Sequence, residues 1–147
     1  MTLIKQQARL FAEDIQSQCV VIDGPPGIGC PVISACAGTD LGLIVTEPSL
    51  MGLHDLKRVL GTLRHFHVPS VICINKSDIY PEGTRAIREF AAAEGLDLIG
   101  EIPYDESIPR SMIEGKPVTV LFPDSSATKA IQAVWHKTIG LLHLQED

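Results

Sequence analysis

The chain has 147 residues and a mass of 15.9 kDa, which is the size of one domain with one hydrophobic core. Hydrophobic residues make up 45% and charged residues 20%, a balance that excludes an intrinsically disordered chain. A formal net charge of −6 disfavours a general nucleic-acid or anionic-membrane surface, because both require a basic face.

The first predicted element is an amphipathic helix over Ile4–Gln18, with Ile4, Ala8, Phe11 and Ile15 on one face at spacings of three and four. Cys19-Val20-Val21-Ile22 is short, continuously apolar and β-branched, as expected of a strand buried on both faces. Leu41–Thr46 is a second such strand, and Met51–Phe66 is helical with Leu53, Leu56, Leu60 and Leu63 as its apolar stripe. Val71–Ile74 forms the third strand, followed by a helix over Pro81–Gly95 that ends on a glycine. Leu96–Ile102 is the fourth strand. A short helix over Asp105–Glu114 and a terminal one over Ser125–Leu142, capped by Asp124 or Ser125, complete the chain. Strands alternating with helices predict a parallel α/β sheet flanked by helices, in a single domain over 1–147.

The four cysteines, Cys19, Cys30, Cys36 and Cys73, include no C-x-x-C pair. This predicts free thiols in a reducing cytoplasm rather than a disulfide framework. Cys30 and Cys36 alone make an incomplete metal site, so they read as packing residues. No apolar run reaches the 18 residues of a transmembrane helix, and no secretory pattern is expected at the N-terminus. The five histidines fall in no metal-binding spacing and read as surface or helix-face residues.

In open parallel sheets, ligands bind beyond the carboxyl ends of the strands. The residues there are Asp23 onward, Thr46-Glu47-Pro48, Asn75-Lys76-Ser77-Asp78 and Pro103-Tyr104-Asp105. Asp23 is placed to hold Mg²⁺ through a water. Gly24, Gly27 and Gly29 allow close approach of backbone to a phosphate, and Pro25 and Pro26 stiffen the loop. A tight turn with a capping aspartate would produce the same string.

Asn75, Lys76 and Asp78 form an N-K-x-D pattern of the kind that reads guanine in many GTPases, and it also suits an asparagine-capped turn. Glu47-Pro48 reads as strand termination, and Asp105 as either a site residue or a helix N-cap.

Together these stretches resemble the MinD/ParA/Mrp class of P-loop ATPases, in particular MinD-superfamily ATPases with an inserted ferredoxin domain. The matching segments are residues 21–32, 43–49, 52–56, 74–78, 102–105 and 115–118, in the family's order through most of the chain. The resemblance implies a P-loop NTPase fold, nitrogenase iron protein-like, in partial form. It assigns Asp23 as the Mg²⁺/water-coordinating acid, Gly27 and Gly29 as part of the γ-phosphate switch, and Asn75 as an adenine contact. Lys76 and Asp78 would stand beside Asn75 at the base, and Pro103, Tyr104 and Asp105 would lie against the base or ribose. ATP with Mg²⁺ is the implied cofactor, slow hydrolysis the implied activity, and a homodimer or a P-loop-bearing half the implied partner, with a link to iron–sulfur protein function.

One departure is large. No G-K-G-G-x-G-K-[ST] loop occurs, the sole Gly-Lys being Gly115-Lys116 followed by Pro117, and the cysteine-rich ferredoxin ligand runs are absent. The chain therefore reads as the C-terminal portion of such an ATPase, a poor enzyme when isolated. In the family the phosphate-loop strand lies between the strands expected at 19–23 and 41–46. Those two strands should either close up against each other or have the gap between them filled by another chain. A GTP-binding switch and a non-catalytic partner-binding remnant are the alternatives.

Overall fold

The computed structural model describes residues 3–24 and 30–144. Its centre is a parallel three-stranded sheet in the order β1 (Gly42–Thr46), β2 (Ser70–Asn75), β3 (Asp97–Ile102). Leu43 pairs with Val71 and Val45 with Cys73, while Val71 pairs with Asp97 and Asn75 with Ile102 across a bulge at Ile72/Cys73. Because β2 is central, residues 71–74 are buried on both faces. That explains the unbroken apolar run in its sequence, where an exposed face would have required alternation.

One face of the sheet carries the larger core. Ile44, Ile72 and Ile74 pack against Leu56, Leu60 and Leu63 of α3 (Leu50–His65) and against Ile87 and Ala91 of α4 (Pro81–Ala93). Helix α3 starts at Ser49, whose hydroxyl accepts from the Gly52 N–H at 2.9 Å, satisfying one donor that the helix itself cannot. Helix α4 has proline at its first position and ends before Gly95, whose φ of +65° is the left-handed conformation glycine adopts without penalty. Two ion pairs fasten α4: Arg64 to Glu94 at 2.6 Å, and a bidentate Arg88–Glu101 pair with both contacts at 2.6 Å.

The other face is covered by α7 (Ser126–Leu141), whose Val134 packs with Val71, Cys73 and Ile99. Close approach of α7 depends on Gly100, where an added Cβ would stand 2.2 Å from Val134 Cγ2. Two short helices, α5 (Ser107–Ile113) and α6 (Val118–Leu121), link β3 to α7.

The N-terminal region departs from expectation. Helix α1 covers Leu3–Asp14, not Ile4–Gln18, and its apolar stripe is not buried: Ile4 is 77% and Phe11 63% exposed, with Ala12 the buried residue of the helix. The strand expected at Cys19–Ile22 does not form; the segment runs without a ladder, and Val21 is 76% exposed. Strand structure exists only through pairing, and the outer edge of β1 has no partner among the described residues. The two expected neighbours have therefore not closed up on each other. A helix not foreseen in the sequence, α2 (Cys30–Cys36), follows. Lys5 of α1 holds it by donating to the carbonyls of Ala35 at 2.5 Å and Ala37 at 3.0 Å.

Candidate nucleotide site at the strand ends

The parallel arrangement sends all three strands out on one side, so the polar tripeptides that follow them meet there. At the end of β1, the buried Thr46 donates its hydroxyl to the Gly52 carbonyl at 3.0 Å, folding the chain back into α3. Glu47 stands next, and Lys76 Nζ reaches its Oε1 at 2.7 Å, bridging the ends of β1 and β2.

Lys76 lies at φ +52°, a conformation that costs a non-glycine residue about 1–2 kcal/mol. Three bonds hold it there. Its N–H donates to Asn75 Oδ1 at 3.0 Å, its carbonyl accepts from the Ile79 N–H at 3.2 Å, and the following Ser77 N–H donates to the Ile102 carbonyl at 3.0 Å. Thr84 Oγ1 then donates to the Ser77 carbonyl at 2.5 Å, tying the loop to α4.

Asp78 joins this loop to the next. Its Oδ1 accepts from the Tyr104 N–H at 2.7 Å, so Asn75–Asp78 and Pro103–Asp105 form one connected surface with the exposed ring of Tyr104 upon it. Asp105 is turned into the fold. Its Oδ1 accepts from the Ser107 N–H at 2.9 Å, and its Oδ2 from the Ser126 hydroxyl at 2.6 Å and the Ala127 N–H at 3.2 Å. These donors, the Ser126 hydroxyl above all, then Ser107 and the Ala127 N–H, hold the carboxyl well below the usual carboxylate range. Asp105 thus joins the starts of α5 and α7.

The loops that carry Asn75, Lys76, Asp78, Pro103 and Tyr104 are linked to one another at the strand ends, and Glu47 is joined to them through Lys76. The signal for Glu47 was present, an acid one residue past a strand opposite the N-K-x-D lysine, but a proline beside it also ends a strand. Asp23 is exposed at the end of the unpaired 19–22 segment, and Gly27 and Gly29 lie outside the described residues. No group of three or more His, Cys, Asp or Glu side chains able to hold a metal occurs among the described residues. The exposed ring of Tyr104, the Asn75 amide and the Lys76 stem lie on the linked loops at the strand ends.

A parallel sheet between helices, with its polar loops gathered at the strand carboxyl ends, is the architecture of a P-loop NTPase of the MinD type. The MinD cell division protein of Aquifex aeolicus superposes with a TM-score of 0.74 at 23% identity, over 93% of this chain and 61% of that one. The septum site-determining protein MinD of Pyrococcus horikoshii OT3, solved with Mg-ADP, gives 0.73 at 20% identity over 92% and 57%.

The chain belongs to the ParA family, in the group described as NUBPL iron-transfer P-loop NTPases, whose family model matches residues 10–139. It is 30% identical over 127 residues to an iron–sulfur cluster carrier protein of Aquifex aeolicus, covering 78% of this chain and 35% of that protein. It is 34% identical over 143 residues to an iron–sulfur protein required for NADH dehydrogenase of Arabidopsis thaliana, covering 87% and 45%. The chain thus spans less than half the length of these relatives.

Proposed function

We propose that this chain is the switch and base-binding portion of an ATP-binding, ATP-hydrolysing domain that serves iron–sulfur cluster transfer. A phosphate-gripping loop from sequence outside these 147 residues completes it. The observation that carries this reading is the joined surface Glu47–Lys76 and Asp78–Tyr104 at the strand carboxyl ends, where ligands of open parallel sheets bind. In this reading Asn75, Lys76 and Tyr104 face the base, Pro103 and the Asp78-pinned backbone shape the loop, and Asp105 holds that loop to α7. Asp23 contacts Mg²⁺ through water, with Gly27 and Gly29 at the γ-phosphate. Mg²⁺ neutralises charge on the phosphates when bound. The chain's own part is to orient the base and to report the terminal phosphate. The iron–sulfur cluster is cargo.

ATP is favoured over GTP by the state of the N-K-x-D residues. A lysine ammonium free to donate favours the O6 acceptor of guanine, whereas Lys76 is paired with Glu47. Four free thiols suit a reducing compartment, and cytoplasm is the location we assign. The working form is a homodimer or a complex with a P-loop-bearing half.

Phosphate and metal contacts supply most of the electrostatic stabilisation in phosphoryl transfer, so the chain alone should be a poor ATPase. Titration with Mg·ATP should show no submillimolar binding by the isolated chain. Tight binding and turnover should appear once a P-loop-bearing segment of a family member is supplied in trans. Submillimolar binding with turnover by the verified chain alone would overturn that dependence, and GTP outcompeting ATP in the reconstituted complex would overturn the adenine reading.

A further inference from the structure

We infer that Glu47, acting through Lys76, is a specificity-determining residue that turns the N-K-x-D loop away from guanine and toward adenine. The inference rests on the nucleotide reading above and concerns the base end of that same site.

The structural basis is the 2.7 Å contact between Lys76 Nζ and Glu47 Oε1 across the carboxyl ends of two adjacent strands. Both residues are held by their backbones. Glu47 lies in the turn between β1 and α3, where Gly52 packs so close that an added Cβ would meet the Glu47 carbonyl at 2.2 Å. Lys76 is fixed at φ +52° by the Asn75 side chain and the Ile79 N–H. Non-glycine residues kept in this region of backbone space cluster at ligand clamps, because the surrounding structure must hold them there.

The two purines differ at position 6: guanine presents the O6 acceptor, adenine an amino donor. An unpaired lysine ammonium has three donors and no acceptor, so it attracts O6 and repels the adenine amino group. Pairing with Glu47 reverses this preference. The carboxylate neutralises the ammonium, and a carboxylate with about four acceptor positions can accept from an amino group while it still holds one lysine contact. The same Asn75-Lys76-Ser77-Asp78 string that reads as a guanine motif in sequence is thereby set for adenine by a residue 29 positions upstream.

The test uses the whole 147-residue chain with AMP and GMP, which probe the base end without needing a γ-phosphate contact, titrated by ligand-observed NMR. The wild-type chain should prefer AMP. Glu47→Gln should narrow or invert the AMP-to-GMP affinity ratio by about three- to fivefold, the scale of one half-exposed charge interaction. Glu47→Asp should keep part of the preference. The double variant Glu47→Gln/Lys76→Met should lose the gain in GMP affinity, since the ammonium that attracts O6 is gone, without regaining the full preference for AMP.

A purely structural Glu47 would weaken both nucleotides alike and leave the ratio unchanged. That outcome overturns the inference while the nucleotide reading stands. Failure of the wild-type chain to bind either nucleotide overturns the base-site reading itself, and this inference falls with it.

Discussion

Asp105 shows how one carboxylate can sit at a site and still belong to the fold. Both of its oxygens accept hydrogen bonds, from Ser107 on one side and from Ser126 and Ala127 on the other. The folded chain therefore stabilises the ionised form, and the carboxyl ionises below the ordinary value near 3.9. A group whose folded pKa is depressed contributes stability that is complete above its unfolded pKa and lost as pH falls through the folded one. Asp105→Asn should accordingly lower the melting temperature at pH 7. The gap to wild type should shrink as the pH is taken from 5 toward 3, where the carboxyl of the unfolded chain takes up a proton while that of the folded chain stays ionised. Thermal melts across that range check this; a gap that stays constant with pH would show that charge at Asp105 is irrelevant.

At the scale of elements, Gly100 and Val134 set how closely α7 lies on β3. The Cβ of an alanine at 100 would stand 2.2 Å from Val134 Cγ2 and 3.9 Å from Cys73 Sγ, in a core with no room to give. Gly100→Ala should destabilise the chain by about 1–3 kcal/mol in a denaturant titration, and a further Val134→Ala should recover part of the loss. Additive losses in the double variant would place the strain elsewhere. The elements themselves were legible wherever a local pattern had a tertiary partner. The 71–74 run is buried on both faces, the Leu56–Leu60–Leu63 stripe meets the sheet, and Ser125 caps α7 as its position before an apolar run implied. Pattern failed where the partner is not among the described residues. Val20, Val21 and Ile22 have the composition of a buried strand, yet a strand cannot be assigned without a neighbour to bond. The stripe of α1 has the right periodicity, but Ile4 and Phe11 stay exposed among the described residues. The candidate site followed the same logic. Asn75, Asp78 and Tyr104 were legible as candidates because strand ends of parallel sheets are where ligands bind, whereas the Glu47–Lys76 pair joins residues 29 apart whose meeting depends on β1 and β2 lying side by side.

At the scale of the whole molecule, the outer edge of β1 has no strand partner among the described residues. On the α7 face of the sheet, Val71 and Cys73 of β2 are buried, while their register partners Leu43 and Val45 on β1 are exposed, Val45 to 58%. The apolar face of α1 and the 19–22 segment are exposed as well. An unpaired strand edge bearing apolar side chains is a template for another strand, and exposed apolar patches mark interaction surfaces. The relatives extend over more than twice the aligned length. A lysine at Val45 tests whether this edge is where the phosphate-gripping portion docks. Val45→Lys replaces a half-exposed side chain that touches little, so the isolated chain should keep its stability within about 0.5 kcal/mol. In the reconstituted complex, the buried ammonium would have no partner against an incoming apolar strand and would be costly to desolvate. Mg·ATP binding in trans should therefore be lost with Val45→Lys and retained with the exposed, remote control Glu89→Lys on α4. Equal binding by both variants would place the docking surface away from β1.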